Sequence, residues 1–467
     1  MSIFAVSKSE TNSARLYRAV WRWHFYAGLV VVPFLAVLAL SGLVMLYGNS
    51  VETFLGAKHH VTAGGKRASI EDQAKAAVAS IPGGTLKLAV RPASGERASV
   101  FVVNATDRDI VVTVDPHGPK VIDTIVKDDT WFYFANKIHG TLLLGGTGDR
   151  IQEIVAGLGV VLLLTGFYMW WPRNTRSLAR ALVPNLAQRG RGLWKEMHVS
   201  LGFYIGVVLL FFLLSGLAWT GIWGTEIVQA WSTFPAEKWG NVPLSDETHA
   251  AMNHGGMKEV PWALEQTPMP SSGSHAGHQA MAAATPVTLD TVAAFARSIG
   301  FDQQFRINVP QSEYGVYTIS ADSMDGDTSN ATGDRTVHVD RFTGNMLAEV
   351  TFSDYSLGGK AMAVGIALHQ GNLGPLNTAL NLAFCLAVMG MCASGVVMWW
   401  KRRPASRLGA PLYPKNYNAP ATVLVIGLAV CIALPLTGIA VALFAIVDFL
   451  LPKRFKEVSG RTVEAGE

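Results

Sequence analysis

Four histidines sit at spacings that give them chemistry. His24 opens an apolar run as His24-Phe-Tyr-Ala-Gly28, and His198 opens another as His198-Val-Ser-Leu-Gly202. Each run then reaches a Ser-Gly-Leu, at Ser41-Gly42-Leu43 and Ser215-Gly216-Leu217, at the same offset and without a gap. His139 (Ile-His-Gly) and His369 (Leu-His-Gln-Gly) precede two further runs. Those runs end in Thr165-Gly166-Phe-Tyr-Met169-Trp170-Trp171 and Ser394-Gly395-Val-Val-Met398-Trp399-Trp400. A lone histidine at a helix end is most often an interfacial polar residue. Two matched pairs in or beside apolar helices are functional candidates, because ionisable groups there are costly. Two imidazoles facing across a gap are what a six-coordinate haem iron requires. Gly28 and Gly202, one turn inward from His24 and His198, lack side chains that would keep a flat macrocycle off the helix.

The elements that must position these residues are membrane spans. Only 15% of the 467 residues are charged, against about 25% in an ordinary soluble chain. Four runs approach the roughly 20 apolar residues a spanning helix needs: Phe25–Tyr47, Ile154–Trp171, Val199–Trp219 and Leu380–Trp400. A fifth stretch, Ala421–Leu451, is too long for one upright helix and too short for two. Pro435 in its middle leaves one kinked, tilted helix or a broken hairpin. The first run exceeds a signal-peptide core and has no convincing cleavage site after it, so it reads as a retained anchor. The Trp-Trp pairs read as interfacial belts. Cys385, Cys392 and Cys431 all lie in apolar runs, which argues against a disulfide framework or zinc finger, and no C-x-x-C-H occurs for covalent haem.

Basic residues set the orientation. Arg15, Arg18 and Arg22 precede the first span; Arg173, Arg176, Arg180, Arg189, Arg191 and Lys195 follow the second; Lys401, Arg402, Arg403 and Arg407 follow the fourth. These segments are expected in the cytoplasm, with the two long segments outside, in a bacterial periplasm. The expected division is a cytoplasmic N-terminus (1–22), TM1 (23–48), a first lobe (49–138), TM2 with its histidine segment (139–171), a cytoplasmic loop (172–195) and TM3 (196–220). An insertion (221–286), a second lobe (287–368), TM4 with its histidine segment (369–400), a loop (401–420), the fifth apolar segment (421–451) and a tail (452–467) follow.

The outer lobes repeat as the spans do. Ile110-Val-Val-Thr-Val-Asp115-Pro-His-Gly118 parallels Thr336-Val-His-Val-Asp340-Arg-Phe-Thr-Gly344. Each reads as an alternating strand, an Asp/Gly turn and a returning strand. Helical stretches precede them at Ile70–Ser80 and Leu289–Ile299. The expected fold class is therefore an α-helical membrane bundle of four core spans plus a C-terminal apolar segment, carrying two α+β lobes. Both halves begin in the cytoplasm, so the duplication is parallel, about a pseudo-twofold axis along the membrane normal. Such an axis can bring His24 to His198 and His139 to His369.

The insertion holds a second set of donors: His249, Met252, His254 and Met257, then His275, His278 and Met281, among Pro, Ser, Gly and Ala. It reads as a flexible low-complexity loop. Imidazole and thioether form a soft set suited to copper more than to ferric iron, so either incidental histidines or a weak, exposed copper site is expected there.

The paired His…Ser-Gly runs, the paired Met-Trp-Trp runs and the two Val-Asp…Gly lobes together resemble the PepSY-associated transmembrane family over about residues 13–403. That family includes iron-regulated inner-membrane proteins and periplasmic siderophore reductases. The resemblance to the reductase branch implies PepSY-like lobes, b-type haem (two haems) and electron transfer from the cytoplasmic side to a periplasmic ferric-siderophore. It makes His24, His139, His198 and His369 the haem ligands. The chain departs from the pattern in its fifth apolar segment and its long second-lobe insertion, and both bear on the substrate.

The leading expectation is thus a transmembrane ferric reductase in the inner membrane. There is no G-x-G-x-x-G between a strand and a helix, and the cytoplasmic segments are too short for a flavin or nicotinamide domain. The electron donor is therefore membrane quinol or a separate cytoplasmic reductase. Lipid and a ferric complex are the expected partners, and no nucleic acid is. Two other readings are a copper-binding or transport protein, with the membrane histidines holding the ion without porphyrin, and a non-enzymatic regulator built on the lobes.

Overall fold

The computed structural model of the chain describes residues 12–54, 60–61, 64–172, 182–253, 258–278, 286–403, 409–410 and 418–450. Among the described residues, four helices are long and apolar enough to cross a membrane. They are α1 (Asn12–Phe54), α4 (Gly145–Trp170), α5 (Arg191–Leu217) and α8 (Pro375–Arg402). Each extends beyond its apolar run, because polar flanking residues continue the same helix. The chain divides into two compact units, one of Met1–Phe34, Gly146–Leu213 and Met391–Glu467, the other of Leu35–Gly145 and Leu214–Gly390.

In the first unit small residues allow close helix packing. A Cβ at Gly159 of α4 would lie 3.0 Å from Leu213 of α5, and one at Gly206 would lie 2.6 Å from Phe167. The fifth apolar segment forms α9 (Ala421–Ala433) and α10 (Pro435–Leu450). The break falls at Leu434, whose φ of −128° and ψ of 78° leave the helical region just before Pro435, as the residue preceding a proline is driven to do. The chain turns sharply enough that a Cβ at Gly438 would meet the Cys431 carbonyl at 2.7 Å. This decides the segment's form in favour of two broken helices over one tilted one.

In the second unit the two outer lobes do not form separate sheets. β1 (Thr85–Arg91), β2 (Ser99–Ala105), β3 (Arg108–Val114) and β4 (Val121–Val126) form one antiparallel meander. β7 (Phe305–Asn308), β8 (Tyr317–Ala321), β9 (Arg335–Val339) and β10 (Met346–Thr351) form another. The first strand of each pairs with the other, with Ala89 opposite Ile307 and Val90 opposite Arg306. The result is one eight-stranded sheet in the order β10-β9-β8-β7-β1-β2-β3-β4. An unpaired strand edge is exposed backbone hydrogen-bonding capacity, and this join satisfies one edge of each meander.

Helices α2 (Ile70–Ala79) and α6 (Leu289–Ser298) cover one face of the sheet. Their Ala74, Ala77, Val292 and Phe295 pack on Phe101, Val103, Ile307, Ile319, Val337 and Val339. The helix starts are tied reciprocally: Ile70 N–H donates to Asp290 Oδ1 at 2.8 Å, and Leu289 N–H to Glu71 Oε2 at 3.3 Å. Acidic side chains at helix N-termini are favoured there.

The insertion is packed where it is described. Val260, Trp262, Ala263 and Leu264 are buried, and Trp262 Nε1 donates to the Ala218 carbonyl at 3.0 Å. Its Pro- and Ala-rich composition masked a small core, so the flexible-loop expectation fails over 258–272. A two-stranded ribbon of β5 (Leu244–Thr248) and β6 (Pro268–Pro270) braces it.

Candidate functional site

Every one of the four histidines meets the Ser/Thr-Gly dipeptide of a neighbouring helix. In the first unit, His24 of α1 places Nδ1 2.9 Å from Thr165 Oγ1 of α4. His198 of α5 places Nδ1 3.1 Å from Ser394 Oγ of α8 and 3.2 Å from the Met391 carbonyl. The following glycine makes room for the ring. A Cβ at Gly166 would lie 3.4 Å from His24 Cε1, and one at Gly395 3.5 Å from His198 Cε1.

The second unit repeats this arrangement. Helix α3 (Trp131–Thr141) carries His139 and α7 (Leu357–Gln370) carries His369. His139 Nδ1 lies 3.0 Å from Ser41 Oγ, and His369 Nδ1 2.8 Å from Ser215 Oγ. Gly42 and Gly216 face His139 and His369 with Cβ positions 3.5 and 3.9 Å from Cε1. Both α3 and α7 close in left-handed residues, Leu142 and Gly371, which turn the chain at once into α4 and α8.

The hydroxyls fix the tautomer. Thr165 Oγ1 donates to the Val161 carbonyl at 2.7 Å, Ser41 Oγ to Val37 at 2.8 Å and Ser394 Oγ to Met391 at 2.8 Å. A hydroxyl has one proton. With that proton given to the backbone, the oxygen accepts from the imidazole, so Nδ1 carries the hydrogen. The lone pair is then on Nε2, the arrangement of a metal-ready histidine whose other nitrogen is held by a neighbour.

The rings come together in pairs. His24 and His198 have centroids 6.4 Å apart with planes at 89°, and His139 and His369 have centroids 6.2 Å apart with planes at 87°. Two imidazoles gripping one iron from opposite sides, with each metal–nitrogen bond about 2.0 Å, put their centroids roughly 6.3 Å apart. All four rings keep part of their surface accessible. Donor type, tautomer and spacing therefore fit a bis-imidazole haem at either pair. Gly28 and Gly202, one turn inward from His24 and His198, are not crowded. Their Cβ positions meet only Leu162 and Met391, each at 3.8 Å.

The insertion's donors do not gather in one place. His249 is fully buried, and its Nε2 lies 3.0 Å from Nε2 of His338, a residue absent from the sequence-level set. Met252 is half-buried beside it. His275 and His278 are exposed, and His278 is bridged to Met346 of β10. His254, Met257 and Met281 lie outside the described residues. His249 is thus not part of an exposed loop site.

Among the described residues, one group of three His, Cys, Asp or Glu side chains brings its donor atoms within 4.8 Å of one another: Asp322, Asp325 and Asp327. Their counter-ion is Arg306, 3.0 Å from Asp325 and 2.8 Å from Asp327. Burial pushes Asp322 up to about 8, with the Asp327 charge adding to it. Arg306 is held up by Asp325 and Asp327 although burial pulls the other way.

A chain with four membrane-spanning helices and an antiparallel sheet covered by helices, carrying these matched histidines, defines a class of multi-pass membrane protein. Residues 21–402 match the PepSY-associated TM region, and the protein belongs to that family. No curated protein matches the chain.

Proposed function

We propose that this protein is a b-type haem electron carrier of the bacterial inner membrane, reducing a periplasmic ferric complex such as a ferric-siderophore. The observation that carries the reading is the pair of facing imidazole couples, each about 6.3 Å between centroids and each ring tethered through Nδ1. His24 and His198 hold one haem and His139 and His369 the other. Haem supplies a one-electron Fe³⁺/Fe²⁺ couple whose potential follows ligation and burial.

The chain's own residues do the positioning. Thr165, Ser394 and Ser41 accept the Nδ1 hydrogens, and Ser215 lies 2.8 Å from His369 Nδ1, which orients each ring and raises the basicity of Nε2. Gly166, Gly395, Gly42 and Gly216 let the rings lie against the helix backbone. The surrounding apolar helices exclude water. An internal parallel duplication accounts for the matched partners, and the basic segments put the N-terminus in the cytoplasm and the sheet in the periplasm. Quinol or a cytoplasmic reductase supplies electrons. Reduction to Fe²⁺ loosens the hold of hard-oxygen chelators on iron.

The experiment is haem analysis of the full chain purified in detergent. Two haem b per chain are expected, with one spectral component lost in each single His→Ala variant. Full haem content in all four variants rules the ligand assignment out.

A further inference from the structure

The sheet face opposite α2 and α6 is buried yet polar. Thr318 and Ser320 of β8 and Thr336 and His338 of β9 are all less than a tenth exposed. A covered sheet face is ordinarily apolar, because a buried polar atom without a partner costs free energy. Here the insertion closes over it, leaving a small cavity. Two polar atoms lining that cavity, Asn308 Oδ1 and Thr336 Oγ1, have no hydrogen-bond partner.

Two imidazoles meet beside this cavity, one from each layer, and His249 lines it. His249 comes from the insertion and His338 from β9, both fully buried, with their rings 4.9 Å apart. His249 Nδ1 lies 2.7 Å from the Thr267 carbonyl. A carbonyl only accepts, so the His249 proton is on Nδ1, and its Nε2 accepts a hydrogen bond from His338 Nε2–H, the proton a metal ion would replace. Thr318 Oγ1 donates to His338 Nδ1 at 3.0 Å, and the same hydroxyl can accept from Nδ1–H once Nε2 holds a metal. Met252, which ends the single turn that His249 begins, lines the same cavity. Trp239 packs against both rings, at 6.1 and 5.8 Å between centroids.

We propose that the histidine pair at the edge of this cavity is a Cu(I) site, with Nε2 of His249, Nε2 of His338 and Sδ of Met252 as ligands. Two imidazoles and a thioether are a soft donor set that selects Cu(I) over harder ions. With metal–nitrogen bonds of about 2.0 Å, a tetrahedral angle separates two nitrogens by about 3.3 Å. The observed 3.0 Å needs an opening of only a few tenths of an ångström. The Thr267 carbonyl and Thr318 hydroxyl are the outer partners that orient metal-binding imidazoles. The site is independent of the haem reading, since none of the four membrane histidines takes part.

The test is titration of the full chain in detergent with Cu(I) against a chromogenic Cu(I) chelator. One equivalent is expected to bind, with affinity reduced about 100-fold in His338→Gln and about tenfold in Met252→Leu. The second variant conserves volume, so it keeps the proposal testable if the first fails to fold. Copper-edge absorption of the wild type is expected to report two nitrogen donors and one sulfur. The proposal is overturned by wild-type affinity in His338→Gln, by unchanged affinity in Met252→Leu, or by a copper spectrum without sulfur. Loss of binding in a His275→Ala/His278→Ala double variant, with His338→Gln unaffected, overturns it equally.

Discussion

Ser41 Oγ stands 3.0 Å from His139 Nδ1 and 2.8 Å from the Val37 carbonyl one turn below it. One hydroxyl therefore relays the His139 ring to the backbone of another helix, and its direction of donation decides which imidazole nitrogen is left to bind. Removing it takes one hydrogen bond from the ring and leaves the Leu38 carbonyl as the remaining acceptor, costing about 0.5–1.5 kcal/mol. Ser41→Ala is expected to lower haem affinity about 10- to 100-fold, the usual effect of losing such a partner, while Ser41→Thr keeps it. Haem retention during dilution in detergent, read from the Soret band, checks both. Equal retention in Ser41→Ala and wild type would mean that the hydroxyl does not orient a ligand.

The glycines beside the rings set a size limit. A Cβ at Gly42 would lie 3.5 Å from His139 Cε1, an ordinary contact, whereas the branches of a larger side chain would enter the imidazole's place. Gly42→Ala is expected to bind haem normally, and Gly42→Leu to lose the haem held by His139 and His369 while retaining the other. Absorption spectra that still show both components in Gly42→Leu would put the macrocycle elsewhere.

Much of this site can be read from the sequence. The repeat marks His24, His139, His198, His369 and all four Ser/Thr-Gly dipeptides, because equal offsets survive in the residue string. Which helix each dipeptide faces is a matter of non-local packing. The same limit hid the joined sheet, since alternation identifies β1 and β7 but says nothing of their pairing with each other. His338 escaped because Val337-His338-Val339 reads as an ordinary alternating strand. A charged-type residue on the alternate face of a strand flanked by valines was the available signal. Composition misled over the insertion, where Trp262 and Leu264 form a core among Pro and Ala residues.

Thr437 of α10 meets α4 where only glycine fits. A Cβ at Gly157 would lie 1.9 Å from Thr437 Oγ1 and 2.8 Å from its Cβ. Gly157→Ala therefore forces α10 to shift, and overpacking of this kind costs about 1–3 kcal/mol. Thr437→Gly removes every clashing atom, and Thr437 Oγ1 has no hydrogen-bond partner to lose. The double variant is expected to recover most of the stability lost in Gly157→Ala. Thermal inactivation of all four forms gives the coupling directly, and additive losses would show that α10 does not dock on Gly157.

Stability of the outer lobes is expected to depend on pH from two opposed sides. Burial holds His249 down at about 4, against 6.5 when unfolded, and His338 is held well below its ordinary value by burial and by His249. A histidine kept neutral contributes stability that is fully present above 6.5 and is lost as pH falls toward 4, because the unfolded chain takes up the proton first. Asp322 runs the other way. Burial and Asp327 raise it to about 8 from 3.8, so its contribution is present at low pH and lost as pH rises through 8. Between about 4 and 6.5 the two effects oppose each other. Above 6.5 the aspartate side is unopposed by these histidines, with a slope of up to about 1.4 kcal/mol per pH unit for one group. Asp322→Asn is expected to reduce the decline between pH 6.5 and 8, leaving the part that Asp325, also raised by burial, contributes. His249→Asn is expected to flatten the acid side relative to wild type. Melting curves across pH 4–9 separate the two, and an alkaline slope unchanged in Asp322→Asn would place the titrating proton on another group.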